Sequence, residues 1–73
     1  MQVRKVSIGT DYKDNAMHYI CGQSVLNSTH TIHLIKVISD GVQIWIENGK
    51  DELLLWKQFN TAVPMSLEFN INF

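Results

Sequence analysis

Two dipeptides, Asp40-Gly41 and Asn48-Gly49, each fall between runs of alternating apolar residues, and they constrain this chain more than any other feature. A type I′ hairpin turn needs positive φ at both central residues, which Asn, Asp and Gly accept. The stretch 30–59 therefore reads as three antiparallel strands joined by two tight turns. If each loop is two residues long, Ser39 faces Val42, Val37 faces Ile44 and Ile35 faces Ile46. Across the second turn Glu47 then faces Lys50, Ile44 faces Leu53 and Val42 faces Leu55.

Side chains alternate along a strand, and paired residues share a face. The register thus gathers Ile35, Val37, Val42, Ile44, Ile46, Leu53, Leu55 and Phe59 on a core face. The other face collects Leu34, Lys36, Ile38, Gln43, Trp45, Glu47, Glu52, Leu54 and Trp56. It is more apolar than a solvated face requires, and Lys36 is placed opposite Trp45 in cation–π range.

Before this meander, 3–8 reads as a strand with Arg4, Val6 and Ile8 on one face and Lys5 and Ser7 on the other. Residues 9–15 are polar and turn-rich. Residues 16–26 are ambiguous. A strand puts Met17, Tyr19, Cys21 and Val25 on one face, and this is the preferred reading. A helix near residues 11–21 would instead stack Tyr12, Ala16 and Ile20 and stop at Gly22. Asn27-Ser28-Thr29 is then a turn. After Pro64, which is ill-suited to a sheet interior, 65–73 alternates as a final strand, with Leu67, Phe69, Ile71 and Phe73 inward.

The expected fold is mainly β, a small antiparallel meander of five to six short strands in one domain spanning residues 1–73. It would curl into a compact barrel or a two-layer sandwich. A chain this short buries only about 60% of its unfolded surface, so a homo-oligomer is expected to complete the core. The lone Cys21 allows no internal disulfide and, with no secretion signal or membrane-length apolar run, points to the cytoplasm. One Arg and two Ala against eight Ile and six Asn match AT-rich coding, as in many phages and low-GC bacteria, and a phage or mobile-element source is expected.

No catalytic motif emerges. His30 and His33 are three apart and diverge on a strand, so they do not chelate one metal ion. His18 and Cys21 would be neighbours only on a helix, and no third group orients them as a nucleophilic pair. The carboxylates read as solvated turn and edge charges, and the glycines are too scattered for a phosphate loop. The chain is therefore expected to be no enzyme and to use no cofactor or metal. The functional expectation rests on the second face: Leu34, Lys36, Ile38, Trp45, Leu54 and Trp56 form a patch suited to a protein partner. Covering of that face by another strand of the same chain is the structural alternative. The alternative function is binding of single-stranded nucleic acid, with Trp45 and Trp56 as stacking platforms and Lys36, Lys50 and Lys57 on phosphates. A formal net charge of −1 counts against it.

Overall fold

The computed structural model describes residues 2–9 and 16–70, Asn70 by its backbone alone. They form strands β1 (Gln2–Ile8), β2 (Met17–Ile20), β3 (Ser24–Val25), β4 (His30–Ile38), β5 (Gly41–Glu47), β6 (Leu53–Asn60) and β7 (Met65–Asn70). All belong to one antiparallel sheet that curls into a half-barrel, and no helix occurs among the described residues. The meander is β4-β5-β6; β1 pairs with β7 on one side and with β2 and β4 on the other. The short β3 pairs with β4, so β2 and β3 fill the gap where β1 and β4 splay apart.

Three single-residue bulges bend the sheet: Arg4 in β1, His33 in β4 and Trp56 in β6 each lack an opposite partner. A bulge adds twist and resets alternation. It lets Val3 and Val6, and likewise Ile32 and Ile35, share the concave face although each pair is three apart. That face carries the core: Val3, Val6, Ile8, Tyr19, Ile32, Ile35, Val42, Ile44 and Ile46. Arg4, expected on one face with Val6 and Ile8, instead turns out to solvent and pairs with Glu68 at 3.2 Å.

The hairpins differ from the expected register in instructive ways. The first turn is Ser39-Asp40, and Gly41 is already in the strand opposite Ile38. The shift is an even number of residues, so Ile35, Val42, Ile44 and Ile46 keep their inward face. Val37 shares that face opposite Val42, but it lies near the rim and is 52% exposed. Gly41 does not have positive φ. Its requirement is space: a Cβ there would run into the carbonyl oxygen of Phe59 on β6.

The second loop spans 48–52 instead of two residues. The Asn48 Oδ1 accepts hydrogen bonds from the Lys50 N–H at 2.8 Å and the Glu52 N–H at 3.3 Å. This side-chain turn competes with the type I′ turn and moves the left-handed residue from Gly49 to Asp51, at φ +61°. The shift is odd, so it inverts the first half of β6. Leu53 and Leu55, expected in the core, lie opposite Glu47 and Trp45 on the convex face. Leu54, expected outside, lies opposite Ile46 on the concave side. The Trp56 bulge then restores the parity, and Phe59 packs against the core as expected.

The ambiguous segment resolves as strand from Met17 to Ile20, with a Cys21-Gly22 turn in place of a helix end. Tyr19, Cys21 and Val25 meet the core as the strand reading requires, while Met17 at the end of β2 is exposed. The N-terminal part of the alternative helix, and the expected inward Ile71 and Phe73, lie outside the described residues. In β7, Met65 and Leu67 pack on the core.

Candidate functional site

The convex face of β4, β5 and β6 is built in cross-strand rows. Leu34, Trp45 and Leu55 form one apolar row, each opposite the next. Lys36, Gln43 and Gln58 form the adjoining polar row. Ile38 ends the face at the first turn, opposite Gly41. On the other flank Glu47 lies between Thr31 and Leu53, and its carboxylate is 3.4 Å from Nδ1 of His33. Among the described residues every strand belongs to the one curled sheet, and none forms a second layer over this face.

Trp45 is half-buried and held in place. Its Nε1 donates to Gln43 Oε1 at 3.2 Å, and Gln43 Nε2 donates to Gln58 Oε1 at 3.0 Å. The chain of amides fixes the indole plane without burying it, because Trp N–H requires a partner and finds one on its own strand. A ring so anchored presents a large apolar surface at little conformational cost.

Of the patch read from sequence, the structure gathers Leu34, Lys36, Ile38 and Trp45 on the convex face and separates Leu54 and Trp56 from them. Trp56 turns inward: its ring meets Tyr19 edge-on, centroids 5.8 Å apart. Lys36 stands opposite Gln43, not Trp45, and the cation–π contact is made by Lys57, whose Nζ lies 4.8 Å from the Trp56 ring centre. Leu53 and Leu55 join the convex face instead. No pattern in the sequence announces that exchange, since it depends on the length of the second loop.

The polar candidates are scattered. His30 Nδ1 is 2.8 Å from Thr29 Oγ1, while His33 contacts Glu47. Among the described residues, no group of three or more His, Cys, Asp or Glu is placed to hold a metal ion. His18 Nδ1 lies 2.8 Å from Ser7 Oγ across the β1–β2 ladder, a contact sequence reading missed because it needs the pairing of two strands joined by a polar loop. Cys21 is elsewhere, its Sγ donating to the Val3 carbonyl at 3.4 Å, and burial pushes its thiol pKa up, away from the range of a reactive thiolate.

Two of the open depressions on the surface of the described residues border these strands and loops. One, about 450 Å³, is lined by Gln2, Val3, Leu34, Ile35, Lys36, Val37 and Phe69. The other, about 370 Å³ and more polar, lies between the turn at 26–29 and the 48–52 loop. No helix among the described residues is long and apolar enough to cross a membrane. No family model matches this chain, no curated protein matches its sequence, and no solved structure matches it.

Proposed function

We propose that this chain is a small, non-enzymatic protein-binding module, an accessory or regulatory factor that acts by docking its convex face on a larger protein. The observation that carries the reading is the Leu34–Trp45–Leu55 row, an apolar strip anchored at an oriented indole and left uncovered by the described elements. Lys36, Gln43, Gln58 and Glu47 surround it with polar groups, and an apolar centre with a polar rim is the usual anatomy of such an interface. The free, half-buried thiol of Cys21 fits work in a reducing cytoplasm. The AT-rich coding bias fits a phage or mobile-element source, where short effectors of this kind act on host proteins.

Single-stranded nucleic acid is the weaker partner. Trp56, the second stacking platform that reading needs, faces Tyr19 on the concave side, and Glu47 borders the strip. The test is capture of a partner from host lysate by the intact chain and by Trp45→Ala, with melting of both. A folded variant should bind about thirtyfold more weakly, the effect of losing a central aromatic anchor of roughly 2 kcal/mol. Undiminished capture by the folded variant overturns the proposal. Binding only to single-stranded RNA or DNA, with affinity falling steeply as salt rises, replaces it with the nucleic-acid reading.

A further inference from the structure

Strand β6 is an edge of the sheet, and β5 is its one ladder partner among the described residues. Its first three residues are leucines with 52%, 53% and 39% of their surfaces exposed. They point alternately to both faces: Leu53 and Leu55 to the convex side, Leu54 to the concave side. A partner lying flat on either face would leave part of this run in water. A strand laid alongside β6 brings neighbours to both faces and takes up the free backbone N–H and C=O groups as well.

Charge identifies that strand. Asp51 and Glu52 precede the leucines, Lys57 follows them, and no charge lies between. None of these three makes an ion pair among the described residues. Laid antiparallel against itself, the segment brings the acidic end of each copy to Lys57 of the other. Laid parallel, it sets like charge beside like. Pairing of β6 with the β7 edge of another molecule would be head-to-tail, giving a ring or an open filament and not a two-fold dimer.

We infer that two copies of this chain pair antiparallel along β6, about a two-fold axis at Leu54, and merge their curled sheets into one. Paired residues then share faces as a ladder requires. Leu54 meets its symmetry mate on the concave side, and Leu53 and Leu55 of opposite copies meet on the convex side. The inference goes beyond the docking of Trp45 and fails separately from it: Leu55 belongs to both surfaces, but Leu54, at the axis, lies on the opposite side of the sheet from the Trp45 strip.

The experiment is the mass in solution of the full chain over a concentration series, by sedimentation equilibrium. The expected result is a concentration-dependent shift to twice the monomer mass. Leu54→Lys, which sets two ammonium groups against each other at the axis, should remain monomeric with an unchanged far-ultraviolet spectrum. Two charge variants test the register without touching the leucines. Lys57→Glu alone, and Asp51→Asn with Glu52→Lys alone, should each be monomeric; mixed, they should form a one-to-one dimer, since each then supplies the end the other lacks. Asn is chosen at 51 because it accepts the left-handed backbone there. A wild-type chain monomeric throughout, assembly that continues past two copies, a folded Leu54→Lys that dimerises like wild type, or charge variants that do not recover on mixing would each overturn the inference. Should Leu54→Lys fail to fold, the mixing experiment decides alone. Loss of dimer in Trp45→Ala would also count against it.

Discussion

The ring of Tyr19 meets that of Trp56 edge-on at 5.8 Å and 83°, so β2 touches β6 across the concave side although neither pairs with the other. Phe59 adds a second contact to Tyr19 at 5.9 Å. The curl of the half-barrel is thus held by aromatic packing as well as by hydrogen-bonded ladders, and the Trp56 bulge supplies the ring that makes the contact. Trp56→Ala is expected to destabilise the protein by about 2–4 kcal/mol, somewhat less than the roughly 3–5 kcal/mol of a fully buried aromatic because the ring is only half-buried. Trp45→Ala, on the convex face, should cost about 1 kcal/mol or less. Chemical denaturation of the two variants checks this, and the reverse order would place Trp45 in the core.

The two glycines of the hairpins should behave differently from one another. Gly41→Val forces a side chain against the Phe59 carbonyl and must push β5 and β6 apart, at a cost of about 2 kcal/mol or more. Gly49 has no neighbour near its missing Cβ and no positive φ, so Gly49→Ala is expected to change stability by less than about 0.5 kcal/mol. Equal losses at the two sites in a thermal melt would contradict the close approach of β5 and β6.

Inside and outside are assigned most sharply at neighbouring residues of β5. Ile44 is fully buried and Gln43 points outward. Ile44→Ala should cost about 2–5 kcal/mol, which is a large share of the margin of a domain this small. Gln43→Ala removes the partner of Trp45 Nε1 at a hydrated site, and a loss of about 1 kcal/mol or less is expected. A larger cost at Gln43 than at Ile44, measured by urea unfolding, would invert the two faces.

How far the fold was legible in the sequence can be traced at these same residues. Alternation identified the β class, the β4-β5-β6 meander and the inward set of Ile35, Val42, Ile44 and Ile46, because an even error in register keeps every face. The first hairpin carried such an error; it kept every face and cost only the pairing of Lys36 with Trp45. The second carried an odd one, and it cost the placement of Leu53, Leu54 and Leu55. The Asn48 side chain decides that loop by capping two N–H groups, a choice that the Asn-Gly pair does not disclose. Bulges were equally silent. Arg4, His33 and Trp56 have nothing in common as residues, and each bulge shows only in the pairing of two strands. For the candidate site, Leu34, Lys36, Ile38 and Trp45 were readable since they depend on the first hairpin alone. Trp56 and Leu54 were not, because their faces depend on the second.

Alkaline pH probes the concave side from a different direction. Burial raises the pKa of the Cys21 thiol, a backbone hydrogen bond from Ile35 offsetting part of the rise, and burial likewise raises that of the Tyr19 phenol. Each group therefore holds its proton more tightly folded than unfolded. Below the ordinary thiol range, roughly pH 8.5, both states keep both protons and these groups contribute no slope. As pH rises through that range the unfolded chain releases the Cys21 proton first, so it binds fewer protons than the native state and stability falls. The Tyr19 phenol repeats this above roughly pH 10. The expected outcome is a melting temperature that starts to fall in the thiol range and falls further in the phenol range. Cys21→Ala, though less stable overall, should lose the first of these declines and keep the second. The same proton bookkeeping predicts slow alkylation of Cys21 by iodoacetamide in the native protein and fast alkylation in urea at the same pH. A native thiol that reacts as quickly as the unfolded one, or a Cys21→Ala profile with the first decline intact, would show that the Cys21 side chain is not sequestered against the Val3 carbonyl.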